Sequence, residues 1–221
     1  MSKPSAAFDE IQPIVKYIVD EMNSNAKGSD AAKMRSFNAF SAVNEIAKWQ
    51  KLPLIQRIFS SDFPRTAIDQ EMSSRSAALI LWTLNVRQNG PWDHKPHIRK
   101  TFNPRNPKGE QAWHRYDKYD YFYDIWSNIH YGYAGIACGF SQSALLDGAG
   151  LEQIGSDILR GKAPSSRPGT SGMRKFDDAS DQESISIGIS LFTSVSASVS
   201  EASVKSAVLS NPSLTKRLYA P

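Results

Sequence analysis

A chain of 221 residues and 24.5 kDa can hold one domain with a sizeable core, and its apolar share of 40% and charged share of 22% are ordinary for a globular protein. A net charge of +4 is too small for a dedicated nucleic-acid binder, though it suits several anionic targets. The single cysteine, Cys138, excludes an internal disulfide, and no apolar run approaches the roughly 18 residues of a membrane helix.

The start, MSKPSAAFDEIQP, lacks the apolar stretch of a signal peptide, so the chain reads as made in the cytoplasm and exported by a dedicated machine. Ile11, Ile14, Val15, Ile18 and Met22 recur at helical spacing behind an Asp-Glu pair and Pro13, predicting a first helix that ends near NSNAKGSD. Met34, Phe37, Val43, Ile46, Ala47 and Trp49 form a second periodic set that Pro53 interrupts. Residues 73–86, SSRSAALILWTLNV, predict a core helix closed by the turn QNGP. Residues 87–118 carry eight Lys or Arg against three acids, three of the four histidines and three of the prolines at 96, 104 and 107. They read as irregular, basic and exposed.

The aromatic stretch YDYFYDIWSNIHYGYAG (119–135) comes next, then a glycine-spaced region, then GKAPSSRPGTSGMRK, whose 161–175 portion reads as a mobile loop. Ser180 and Glu183 match a capping box and place a helix start there. The alternation of Ile185, Ile187, Ile189 and Leu191 fits a strand as well, so the helix assignment rests on the box. The Ser-rich tail 193–221 has no clear period and is left unplaced. The fold expected is mainly α: a single compact helical domain over residues 1–192, with long irregular loops and room for a small β element.

Three polar clusters carry candidate chemistry. If residues 121–131 form one helix, Asp124, Asn128 and Tyr131 share a face and Trp126, Ile129, His130 and Tyr133 share another. Gly132 and Gly135 should weaken that helix beside His130 and let the imidazole project into a cleft. Histidine titrates near neutrality, and a nearby carboxylate would orient it and favour its protonated form. His130 and Asp124 are therefore the first acid–base candidates, against the alternative that His130 is a core histidine. In NGPWDHKPH the turn presents Trp92, Asp93, His94 and Lys95 together; Asp93 or His94 could face His130 across a groove while Lys95 holds an anion. Trp92, Asn128, Tyr131 and Trp126 are the candidate substrate contacts. Asp177, Asp178 and Asp181 could cap the helix that follows or bind one divalent metal ion, although no standard zinc spacing is present.

VRQNGPWDHK, YDIWSNIHYGYAGIACGFS, LLDGAGLEQIG and FDDASDQESISIGISLF, in that order, resemble the bacterial polymorphic toxin type 44 family over roughly residues 11–192. The resemblance implies an antibacterial effector that is carried by a secretion system and matched to a cognate immunity protein. The tail from about Thr193 departs from the family pattern. No large delivery domain precedes the toxin-like part, so a free-standing cargo effector is expected.

The resemblance leaves the reaction open. The first expectation is a hydrolase of the cell envelope, acting on peptidoglycan or its lipid-linked precursor by Asp/His acid–base chemistry. The Tyr123, Asp124 … His130 spacing is also similar to that of colicin M-like enzymes, which cleave the lipid-linked precursor; Tyr131 stands where they carry arginine and Tyr121 where they carry aspartate. The alternative is an RNase toxin acting in the target cytoplasm, in which basic residues 87–118 interleave with Trp92, Trp113, Tyr116 and Tyr119. A non-catalytic binding module is the third.

Overall fold

Where apolar residues recur every three or four positions, helices form. The computed structural model describes residues 8–147, 179–194 and 198–220, so the expected mobile loop 161–175 and the candidates Asp177 and Asp178 lie outside the described residues. The described elements run α1 (Gln12–Lys27), α2 (Ser29–Ala39), α3 (Ala42–Gln50), α4 (Leu54–Phe59), α5 (Phe63–Val86), α6 (Lys95–Thr101), β1 (Trp113–Tyr116), β2 (Tyr119–Phe122), α7 (Asp124–Ala137), α8 (Gln142–Leu146), α9 (Ala179–Ser194), α10 (Glu201–Ser210) and β3 (Lys216–Leu218). The mainly helical reading with a small β element holds. Asp9 begins α1 by accepting the backbone N–H groups of Ile11 and Gln12 at 3.1 and 2.9 Å.

Two apolar clusters form the core, and α7 and α9 belong to both. Ile125, Trp126, Ile129 and Tyr133 join Ile14, Val15 and Ile18 of α1 with Val204 and Val208 of α10. Ala134 and Cys138 join Met34 of α2, Trp82 of α5 and Phe140. On α9, Ile187 and Leu191 enter the first cluster while Ile185 and Ile189 enter the second. The strand-like alternation thus has a helical cause: two i, i+4 pairs on different faces of a helix that is apolar towards both cores.

Gly132 and Gly135 do not end the aromatic helix, which continues to Ala137. They allow close packing instead. A Cβ on Gly132 would lie 2.1 Å from the Ile185 carbonyl oxygen, and one on Gly188 would lie 2.0 Å from the Ile129 oxygen, so α7 and α9 touch backbone to backbone. The expected helix start at 121 also shifts, because Tyr119–Phe122 is a strand and α7 begins at Asp124.

The sheet order is β1-β2-β3, all antiparallel, with Trp113 opposite Phe122 and Asp120 opposite Arg217. The tail left unplaced by the sequence supplies both β3 and α10. Ser180 and Glu183 of the expected capping box bond this C-terminal segment: the Ser180 hydroxyl accepts from Thr215 N–H at 2.7 Å, and Glu183 accepts from Asn211 Nδ2 at 2.7 Å. Nor is the 87–118 segment irregular and exposed throughout. It contains α6 and β1, and its His94, Ile98, Gln111 and His114 are buried. Arg105 bonds the buried carboxylates of Glu10 and Asp120, so this cation serves the interior.

Candidate active site

Helix α7 packs against α1 mainly through apolar side chains, and Asn25 and His130 add a polar contact beside them. His130 points from α7 towards α1 with 1% of its surface exposed; its Nε2 lies 3.0 Å from Asn25 Nδ2. The turn after α5 brings in His94, 2% exposed, whose Nδ1 is 2.8 Å from the Tyr17 hydroxyl. The two imidazoles meet edge to face, with centroids 4.2 Å apart and planes at 74°, and Trp92 stands 6.0 Å from the His130 ring. The turn is held in shape by Asp93, whose carboxylate accepts from Asn89 N–H at 2.9 Å and from Lys95 N–H at 3.4 Å.

Both imidazoles are neutral. Burial pushes His94 down to about 4, with the nearby Asp93 charge opposing and His97 adding slightly. Burial, and then His94, hold His130 well below the ordinary histidine value. No described carboxylate bonds to His130, so the expected protonated imidazole oriented by an acid is replaced by a neutral ring oriented by an amide. Asn25 also donates to Glu21 Oε2 at 3.2 Å. Presenting its NH2 group to Nε2 places the ring proton on Nδ1; presenting its oxygen would place the proton on Nε2 and leave Nδ1 as the base. Burial raises the Tyr17 phenol to about 12, so it keeps its proton.

His130 forms part of the wall of a cleft of about 530 Å³. Its lining includes Trp92, Asp93, Lys95, Arg99, Lys100 and Glu110 from the basic segment, and Tyr123, Ser127, Asn128 and Tyr131 from α7 and the residue before it. Arg99 pairs with Glu110 and lies over the Tyr123 ring at 5.2 Å. Lys95 and Lys100 have no ion-pair partner among the described residues.

Most sequence candidates meet here. His130, His94, Asp93, Lys95, Trp92, Asn128 and Tyr131 lie in or directly behind one cleft. Asp181 also approaches it, accepting from Asn128 Nδ2 at 2.8 Å. Trp126 does not: it is 0% exposed in the first core cluster, because its position on α7 faces α1 and α10. Asp124 lies in the first turn of α7 beside Tyr123, whose phenol it helps to raise, and is not among the described lining residues. Among the described residues no group of three His, Cys, Asp or Glu side chains could hold a metal ion.

Sequence reasoning missed Tyr17, Glu21 and Asn25. They repeat at i, i+4, i+8 beside the apolar stripe of α1, and that polar periodicity was the available signal.

No helix among the described residues is long and apolar enough to cross a membrane. No curated protein and no solved structure matches the chain. A family model described as Bacterial toxin 44 matches residues 81–194, just over half of the 221 residues, and spans the cleft turn, α6, α7 and α9.

Proposed function

We infer, since the chain belongs to the bacterial toxin 44 family, that it is an antibacterial toxin whose cleft hydrolyses a phosphate-bearing component of the cell envelope, the lipid-linked precursor of the wall. One observation carries this reading: a neutral, buried imidazole shares a small cleft with two lysines that have no described ion-pair partner. Lys95 and Lys100 supply the charge that holds phosphate oxygens. His130 accepts the proton of an attacking water through Nδ1 in the tautomer in which the Asn25 amide turns its oxygen to Nε2 and gives up its bond to Glu21. Water then adds to phosphorus, the P–O bond to the leaving group breaks, and the proton passes to the departing oxygen. Trp92, Tyr123 and Tyr131 give flat apolar faces suited to a sugar ring.

The volume suits a head group better than a long strand. Glycoside cleavage by paired carboxylates has less support, since Asp93 holds its turn and Glu110 pairs with Arg99. The nuclease alternative draws on the same phosphate chemistry, but it loses Arg105 to internal ion pairs. Delivery by a secretion system and neutralisation by a cognate immunity protein belong to the same proposal, as does a divalent ion bound through Asp181 with Asp177 or Asp178.

The test is incubation of purified protein with lipid-linked precursor and, separately, with RNA. Release of the water-soluble sugar pyrophosphate is expected; intact precursor with degraded RNA would overturn the proposal in favour of the nuclease. Expression with an added signal peptide should kill, and cytoplasmic expression should be tolerated.

A further inference from the structure

Helix α4 is inside out. At 100° per residue, Leu54, Ile55, Ile58 and Phe59 fall within an arc of about 140°, with Gln56 and Arg57 opposite. An amphipathic helix on a protein ordinarily turns its apolar arc inward. Here that arc faces out: the four residues are 66%, 65%, 63% and 87% exposed, and no residue of α4 is buried. Arg57 turns inward, its guanidinium 6.0 Å from the Trp49 ring and its Nε buried without a hydrogen-bond partner in the described structure. A six-residue helix is too short to persist on its own hydrogen bonds, and this one has no core beneath it to compensate. Val43 of α3 and Leu52, just before α4, are exposed as well.

Charge decides what covers it. Between residues 48 and 65 the cations Lys48, Lys51, Arg57 and Arg65 outnumber the single acid, Asp62; Lys48 pairs with Glu45 at 2.6 Å and Arg57 turns inward, which leaves Lys51 and Arg65. Lys51 and Arg65 are exposed, with no described ion-pair partner. Exposed apolar side chains flanked by the two unpaired cations Lys51 and Arg65, beside a tryptophan whose Nε1 donates to Ser60 Oγ at 2.8 Å, match the physics of an interfacial membrane helix. We propose that the α3–α4–α5 tip is a peripheral docking surface for anionic lipid bilayers, with Leu54, Ile55, Ile58 and Phe59 entering the acyl boundary and Lys51 and Arg65 meeting the head groups. Helix α5 runs 24 residues from this tip to the cleft turn, about 36 Å at 1.5 Å per residue, so lipid contact and cleft stand at opposite ends of one helix. The proposal is independent of the reaction.

The full chain is mixed with vesicles of phosphatidylglycerol and phosphatidylethanolamine, or of phosphatidylcholine alone, and sedimented. Wild type should pellet with the anionic vesicles, and Ile58→Glu with Phe59→Glu should lower the partition coefficient at least about tenfold while the circular dichroism spectrum is unchanged. Lys51→Glu with Arg65→Glu should erase the preference for anionic lipid. Wild type that stays in solution with every composition, or a doubly acidic variant that pellets equally, overturns the proposal. Light scattering then separates the rival occupant: a dimer that Ile58→Glu dissociates, without vesicle binding, assigns the face to a second copy. Precursor hydrolysis by the Ile58→Glu/Phe59→Glu protein should equal wild type, so failure here is distinct from failure of the cleft reading.

Discussion

The buried imidazoles make stability depend on pH in a window where carboxylates contribute little. In the unfolded chain His94 takes up a proton near pH 6.5, but in the folded protein only near about 4. A folded-state value below the unfolded one gives stability that is fully present above 6.5 and lost as the pH falls towards 4. At 1.36 kcal/mol per pH unit the full linkage is on the order of 3 kcal/mol, of which about 2 kcal/mol is lost between pH 7 and pH 5. That is a large fraction of the roughly 5–15 kcal/mol that holds a domain together. His130 shifts in the same direction and adds to the loss. The assay is urea unfolding at pH 7.5, 6 and 5 on wild type and on His94→Gln, comparing slopes rather than absolute stabilities so that groups common to both cancel. Wild type should lose about 2 kcal/mol more than the variant across that range. Equal slopes would mean that His94 is protonated in the folded state, and the neutral-pair electrostatics would be wrong.

Removing the imidazole by His130→Ala should lower toxicity by about 10²- to 10⁴-fold with the helical dichroism retained, whereas His97→Ala, exposed on α6, should stay within a few-fold in a growth assay. Asn25→Asp puts a carboxylate against His130 Nε2, so the imidazole pKa should rise and the acid limb of hydrolysis should move to higher pH; an unmoved limb would remove Asn25 from the site's electrostatics. Tyr17→Phe strips the bond to His94 Nδ1 and should cost about 1–3 kcal/mol, measured by chemical denaturation. Gly132→Ala drives a methyl group into the Ile185 carbonyl and should destabilise by about 1–3 kcal/mol or more, seen as a fall in melting temperature.

The sequence disclosed what local physics controls. Periodic apolar residues marked α1 and α5, the QNGP turn marked where α5 stops, and residue chemistry alone drew attention to His94 and His130. What it concealed depends on which face meets which neighbour. Trp126 was a candidate substrate contact on the same helical face as His130, yet the rotation of α7 puts it in the core. Asp124 was the natural partner for His130 along the chain, whereas the amide that binds the ring comes from a residue 105 positions earlier. The tail from Thr193 looked featureless because its apolar residues Val199, Val204, Val208 and Leu214 acquire meaning only against the first core cluster, which distant parts of the chain build.

Helix α9 closes two cores at once, and this bears on how the molecule may be trimmed. The family match ends with α9, yet Ile187 and Leu191 rest on a cluster whose other walls, α1 and α10, lie outside residues 81–194. A fragment cut at those borders would keep both histidines and lose Tyr17 and Asn25, and it would leave one side of α7 and α9 open to water. The two clusters should therefore melt in one transition, and a fragment limited to residues 81–194 should fail to fold, because the support for both helices extends on both sides of the segment by which the kinship is recognised.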